Sequence, residues 1–266
     1  MIYIVTHGPI IEEYYSVDKE LNSNNITIIN VSNSNLKNSR FKVLNLRDFE
    51  NYFDLGYWYA ESEAIYNIYK NKLYNQYDYV GFLHWDFEFK CENPFISNNV
   101  SELIDKLISK KEEFISFSTF SFYEDYIQNI MMDVNYPNQL VGDGLNCWDI
   151  IINDYNHFFN ENIDLNYMMT KNINLCSSFL CKKSLFEDLM RFYSHIIESK
   201  KLEGFDTLHK NRFQGGMMER YIGCYSHRFC FTNIPLFHRF INNTRNSKND
   251  YSRLNFLKRL FDWMKR

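Results

Sequence analysis

The stretch that decides the fold is Tyr77-Asp78-Tyr79-Val80-Gly81-Phe82-Leu83-His84-Trp85-Asp86-Phe87-Glu88-Phe89. Its apolar run reads as a buried strand that ends in two carboxylates, Asp86 and Glu88, spaced i and i+2. On one strand that spacing points both side chains to the same face. Paired carboxylates repel unless a positive charge sits between them, and a hard divalent cation with oxygen ligands answers that need. Mg2+ or Mn2+ bound this way spends its remaining positions on substrate phosphates. Acid-x-acid pairs at strand ends are also common as solvated pairs. Here they interrupt an aromatic and apolar run, where unpaired charge is costly. Lys90 would neutralise part of it.

Working outward, Leu55, Trp58, Tyr59, Ser62, Ile65, Tyr66, Tyr69 and Leu73 recur at three- and four-residue steps, which predicts a helix feeding directly into that strand. At the start of the chain, Ile2 to Val5 reads as a strand that stops at Thr6-His7-Gly8-Pro9, the usual opening of an α/β nucleotide-binding fold. Further strands are expected over Ile26 to Val31, Lys42 to Leu46, Phe114 to Phe120, Leu175 to Cys181 and Phe229 to Phe237. Helices are expected over Ser101 to Lys111, with Ser101 as N-cap, over Ser184 to Lys200, and over Met217 to Tyr225. The region from Tyr123 to Asn160 reads as a long irregular loop, and Gly204 to Gly216 as a second loop. Alternating strands and helices predict one Rossmann-like α/β domain over 1–240 with a mostly parallel central sheet. Residues 241–266 are expected to form a helical appendage.

A chain of 266 residues, 45% hydrophobic, has ample apolar surface for a core. Its aromatic content of 18%, alongside abundant Asn, Ile and Lys, looks partly like codon bias from an AT-rich genome rather than wholly like a binding surface. A formal net charge of −4 argues against nucleic-acid binding, which needs a basic footprint. Cysteines at 91, 147, 176, 181, 224 and 230 contain no C-x-x-C pair, so reduced, mostly buried thiols are expected and a zinc site is not. The N-terminus has no signal-peptide pattern and no stretch approaches a transmembrane helix in length. A cytoplasmic location is the expectation.

The second chemical stretch is Gln214-Gly215-Gly216-Met217-Met218-Glu219-Arg220. Two glycines let a substrate approach the backbone closely, and a following helix places Glu219 near its N-terminal end. A carboxylate there is a candidate general base for a sugar hydroxyl, and equally a first-turn acid pairing with Arg220 or the helix dipole. His238 ends the last strand and is a candidate third metal ligand or phosphate contact, beside Arg239. His84 reads as structural. Of Glu61 and Glu63, on an otherwise apolar helix, one is a candidate buried acid pairing with a ligand hydroxyl or a backbone amide. From Arg239 onward eight Lys/Arg face two Asp, and Leu254, Leu257, Leu260, Phe261 and Met264 line one helical face. This basic amphipathic helix suits either peripheral contact with a membrane or packing on the domain or a partner chain.

The run Glu61-Ser62-Glu63-Ala64-Ile65-Tyr66-Asn67-Ile68-Tyr69-Lys70-Asn71, followed by Tyr77 to Trp85, resembles bacterial and viral glycosyltransferases of the capsular-polysaccharide type. These carry a Glu-x-x-Ala-x-Tyr-x-x-x-Lys-Asn helix followed by a Tyr-Asp-Tyr-Val-Gly-x-x-His-Tyr strand. Phe213 to Arg220 is similar to that family's Gly-x-x-x-Glu-Arg segment and to the Gly-Gly-x-x-Glu/Asp turn that supplies the base in many GT-A enzymes. Many relatives have Arg-Arg where this chain has Asp86-Phe87-Glu88, closer to the metal-dependent Asp-x-Asp pattern.

The resemblance implies a GT-A domain acting as a hexosyltransferase-type enzyme in polysaccharide biosynthesis. A nucleotide-sugar donor and a glycan or lipid-linked acceptor follow from it. Thr6, His7, Glu61, Asp86, Gly215 and Gly216 would border the donor, with Thr6 and His7 near the base or ribose. Asp86, Glu88 and His238 would hold Mn2+ or Mg2+, and Glu219 would be the base of an inverting displacement. Two other readings stand beside it. A metal-dependent nuclease would use Asp86 or Asp78 with Glu88 and Lys90, and a non-catalytic glycan- or nucleotide-binding protein would keep the fold without turnover.

Overall fold

The computed structural model describes residues 1–8, 25–32, 36, 39, 41–85, 87–88, 109–123, 125–126, 147–204, 213–229, 232–233 and 237–238. The expected helix over Ser101 to Lys111 falls almost wholly outside them, as do Lys90, Arg239 and the whole of 241–266.

Strands β1 (Ile2–Thr6), β2 (Ile26–Asn30) and β3 (Lys42–Asn45) run parallel. All five residues of both β1 and β2 are buried, as continuous apolar runs are when a parallel sheet is covered on both faces. A single 3-10 turn, Tyr57–Tyr59, leads into α1 (Glu61–Lys70). Glu61 and Glu63 sit in the first turn of α1 and Lys70 in the last, the charge order that the helix dipole favours. Then come β4 (Tyr79–His84), β5 (Phe87–Glu88), β6 (Phe114–Ser116) and β7 (Thr119–Ser121). Helices α2 (Cys147–Phe159) and α3 (Leu165–Met168) precede β8 (Asn172–Asn174) and β9 (Phe179–Lys182). Helices α4 (Lys183–Glu198) and α5 (Phe213–Ser226), then β10 (Thr232–Asn233) and β11 (Phe237–His238), complete the described chain.

Seven strands form one sheet in the order β10-β6-β9-β4-β1-β2-β3. Only β9 runs against its neighbours, antiparallel to both β4 and β6; every other pairing in this sheet is parallel. The mostly parallel Rossmann-like α/β expectation therefore holds. The chain leaves β1 towards β2 and β3 on one side and returns with β4 on the other, so the strand order reverses between β1 and β4. Open α/β sheets bind ligands outside the carboxyl ends of the strands at such a point.

Several expected boundaries change. The strand expected over Phe114 to Phe120 is two strands, broken at Phe117 and Ser118. Within the stretch read as an irregular loop, α2 occupies thirteen residues, with Trp148, Ile151 and Tyr155 fully buried. Its apolar spacing is helical, but Asp149, Asn153 and Asp154 mask it in a region rich in turn residues. Helix α5 begins at Phe213, so Gly215 and Gly216 lie inside it and Glu219 falls in its second turn rather than near its start. The final strand expected over Phe229 to Phe237 resolves into β10 and β11, in different sheets.

Many of the described aromatic residues are buried in the core. Trp148, Tyr155, Tyr193, Tyr221, Tyr225 and Phe179 are fully buried. Phe82, Phe114, Phe179 and Phe186 make ring contacts at 5.5 to 5.7 Å, within the range of favourable aromatic pairs. Cys147, Cys176, Cys181 and Cys224 are free thiols. Among the described residues no helix is long and apolar enough to cross a membrane.

Candidate active site

Two strand ends flank the reversal point. At the end of β1, Thr6 is fully buried, and its hydroxyl donates to the Gly8 carbonyl at 2.6 Å and accepts from the Gly8 amide at 3.1 Å. This tight turn presents His7, whose side chain is 39% exposed. At the end of β4, the His84 amide leaves the ladder and donates to the Ser178 hydroxyl at 3.3 Å.

Glu61, the first residue of α1, joins the two ends. Its Oε1 lies 3.2 Å from His7 Nε2 and 3.0 Å from His84 Nε2. For one carboxylate oxygen to accept from both rings, each imidazole must carry a proton on Nε2. Of the two first-turn acids of α1, Glu61 therefore takes histidines, while Glu63 accepts the Tyr52 hydroxyl at 2.5 Å. His84, read from sequence as structural, belongs to this cluster. Only the pairing of β4 with β1, which sets Val5 opposite His84, brings it there.

Glu219 enters from α5. It is recessed without being sealed, and loss of hydration is the main pressure on its carboxyl, raising it above the ordinary glutamate range. The Arg220 charge and the Cys176 amide oppose that rise, while the Asp125 and Glu61 charges add to it. Its Oε1 accepts from the Cys176 amide at 2.6 Å. Arg220 is anchored to Asp125 at 3.2 and 3.3 Å and to the Gly216 carbonyl at 3.0 Å, and Trp148 Nε1 also donates to Asp125 at 2.8 Å.

The Cys176 amide reaches Glu219 through a bulge. Leu175 N bonds to Ser118 O and Phe117 N to Ser178 O, so Cys176 and Ser177 are two extra residues between β8 and β9. Both lie in the left-handed region, at φ 58° and 47°, a conformation that side-chain-bearing residues adopt at some cost. Bulges re-aim groups in this way and are over-represented beside active sites. The sequence Leu-Cys-Ser-Ser, with no glycine, gave no sign of it.

Gly215 was expected to let a substrate near the backbone; here it admits the chain itself. A Cβ on Gly215 would meet Ala60 Cβ and the Tyr59 carbonyl at 3.1 Å, and the Trp58 carbonyl at 3.3 Å. The bare backbone seats α5 against the 3-10 turn that precedes Glu61, fixing the two carboxylate-bearing helices together. Gly216 meets only Arg220 Nη1, at 3.5 Å.

The strand expected to carry two of the metal ligands is interrupted. Strand β4 stops at His84, and Glu88 falls in β5, a separate strand paired antiparallel with β11. The shared-face argument for Asp86 and Glu88 on one continuous strand therefore fails. Past the last β4–β9 pair, Phe82 with Phe179, the His84 amide bonds to the Ser178 side chain instead of to a β9 carbonyl. Asp86 lies outside the described residues. The β5–β11 register sets Phe237 opposite Glu88 and His238 opposite Phe87, so the backbones of Glu88 and His238, far apart in sequence, are neighbours. Among the described residues no group of three His, Cys, Asp or Glu is arranged to hold a metal.

No protein-family model matches the chain, and no curated protein matches it in sequence. Solved structures similar to it include the WbbM bifunctional glycosyltransferase in its apo form, at 16% identity and a TM-score of 0.48, covering 88% of this chain and 44% of that one. Another is the mannosyltransferase Ktr4p from S. cerevisiae in complex with GDP, at 14% identity and a TM-score of 0.33, covering 86% of this chain and 66% of that one. The chain spans less than two thirds of the length of either, and at these scores the likeness is one of general outline.

Proposed function

We propose that this chain is a glycosyltransferase of the GT-A kind, moving a hexose from a nucleoside-diphosphate sugar to a glycan or lipid-linked glycan acceptor. One observation carries the reading. Glu61, His7 and His84 meet at the carboxyl ends of β1 and β4, where the strand order reverses, and Glu219 stands on α5, the helix seated against the turn that precedes Glu61. The position is where an α/β sheet takes a nucleotide, and the helix-strand motif from Glu61 to Trp85 that resembles the capsular-polysaccharide enzymes supplies two of its parts, Glu61 and His84.

The donor's base or ribose would lie along the Thr6–Gly8 turn, beside His7. Glu219 would take the proton of the acceptor hydroxyl as that oxygen attacks the anomeric carbon. The bond between that carbon and the diphosphate oxygen breaks, its electron pair leaves with the nucleoside diphosphate, and configuration inverts. A general base works best with a pKa raised toward the working pH, the direction in which burial drives Glu219. Glu61 orients both imidazoles and fixes their tautomers. Asp86, Glu88 and His238 would be the residues to hold Mn2+ or Mg2+, and such an ion would offset charge on the departing diphosphate.

The test pairs binding with turnover. Thermal melts with UDP-, GDP- and dTDP-sugars plus Mn2+ should show stabilisation by at least one of them. Release of the nucleoside diphosphate should rise with pH until Glu219 is fully ionised. Glu219→Gln should bind the donor normally yet lose about a hundred-fold or more of turnover. Absence of any stabilisation across the donors, or full turnover by Glu219→Gln, would overturn the reading.

A further inference from the structure

On the other flank of α1 lies an open cleft of about 460 Å3 that the reaction proposed above does not use. Its size is that of a small-molecule site. Tyr52, Phe53 and Tyr66 give it aromatic walls, and Asp54, Glu198 and Glu203 give it carboxylates. Phe53 is 38% exposed, whereas nine of the described phenylalanines are buried. That exposure is held in place. Asn67, itself fully buried, donates to the Phe53 carbonyl and accepts from the Phe53 amide, both at 2.8 Å. The ring stands edge-on to Tyr66 at 5.6 Å, and the Lys70 ammonium lies 5.7 Å from its centre. An aromatic surface fixed this firmly is preorganised for a ligand.

The polar groups narrow the ligand class. Glu198 Oε1 is taken by Lys70 at 2.8 Å and by the Tyr66 hydroxyl at 2.9 Å, and Asp54 Oδ1 by the Gly56 amide at 2.9 Å. Among the described lining residues three acids stand against Lys200. Ionised carboxylates only accept, so they call for donors, and sugar hydroxyls are donors that carry no charge. Negative potential repels a diphosphate, which separates this cleft in chemistry from the proposed donor position. The two are linked mechanically. Tyr59, in the cleft wall, offers the backbone carbonyl against which Gly215 seats α5, and Glu61 begins the helix that carries Tyr66.

We propose that the cleft between α1, the 52–55 segment and the end of α4 is a subsite for a neutral saccharide ring of the acceptor, stacked on Phe53 and hydrogen-bonded to Asp54 and Glu203. The proposal rests on the glycosyltransferase reading for its purpose, and on the cleft alone for its chemistry.

The experiment measures binding of neutral di- and trisaccharides ending in glucose, galactose, mannose or N-acetylglucosamine to the full chain, by saturation-transfer NMR and calorimetry. Phe53→Ala, Glu203→Gln and the bulk-preserving Phe53→Leu are compared with the unaltered protein, with thermal melts to confirm folding. At least one saccharide should bind, and Phe53→Ala should weaken it about ten-fold, the loss of one aromatic face. Glu203→Gln should weaken it several-fold, and affinity for free nucleoside diphosphates should stay unchanged in every variant. The proposal is overturned if no saccharide binds, or if Phe53→Ala and Glu203→Gln bind as the unaltered protein does. Saccharide binding that depends on Phe53, in a protein that takes no nucleotide sugar, would keep the cleft and remove the transferase. Turnover of nucleotide sugars with saccharide affinity indifferent to these changes would do the reverse.

Discussion

Glu219 carries its charge against the grain of its surroundings, and that has a measurable cost. Burial raises its carboxyl above the ordinary glutamate range, so at moderately acid pH the native state keeps a proton that the unfolded chain has released. Stability from that proton is fully present below the ordinary range and is lost as pH rises through the native value. Glu219→Gln removes the penalty and keeps an oxygen that accepts the Cys176 amide. Its stability relative to the unaltered protein should therefore climb from about pH 4 towards neutrality, read by urea denaturation across that range. A constant difference at every pH would refute the argument. Glu219→Ala is a different experiment. It strands the Cys176 amide beneath a strained bulge, and should be about 1 to 3 kcal/mol less stable than Glu219→Gln at any pH.

At the scale of elements, the adjacent glycines of α5 separate two roles that look alike in sequence. Glycine in a helix interior costs roughly 0.5–1 kcal/mol relative to alanine, so replacement gains stability wherever space allows. Gly216 has that space: an added Cβ makes ordinary contact with a flexible arginine at 3.5 Å. Gly215 does not, since its Cβ would press at 3.1 Å on a backbone carbonyl and on Ala60, which already sits at φ 50°. Gly216→Ala should stabilise by about 0.5 kcal/mol, and Gly215→Ala should destabilise by about 1 to 3 kcal/mol through overpacking. Chemical denaturation of the pair decides it, and equal effects of one sign would refute the packing argument. The same contact explains why the start of α5 was missed. Gly-Gly reads as a breaker on propensity alone, and packing on the 57–59 turn overrides it. In α2 the failure was the opposite kind, a helix whose buried face was hidden among Asn and Asp.

For the whole molecule, legibility followed locality. Strands β1 and β2, the start of β4, the end of α1 and the whole of α4 were readable within two or three residues, because each carries its own period and its burial pattern. What the sequence withheld was long-range. The antiparallel insertion of β9, the bulge at Cys176 and Ser177, and the use of Glu61 to join His7 and His84 depend on which strands become neighbours. In the candidate site, Glu61, His7 and Glu219 were named in advance, whereas His84, Ser178 and the Cys176 amide needed the pairing of β4 with β1 and β9.

That same topology predicts where a donor leaves its mark. A ligand seated at the reversal between β1 and β4 covers the carboxyl ends of those strands and the turn that bonds to His84, and it leaves the far edge alone. Hydrogen exchange with a bound nucleoside diphosphate and Mn2+ should therefore slow amides over residues 6–8, 84–85 and 176–178. Residues 42–45 of β3, two strands away from β1, should exchange as before. Protection concentrated instead at 52–55 would put the nucleotide in the acidic cleft, against its charge. It would exchange the places assigned here to donor and acceptor.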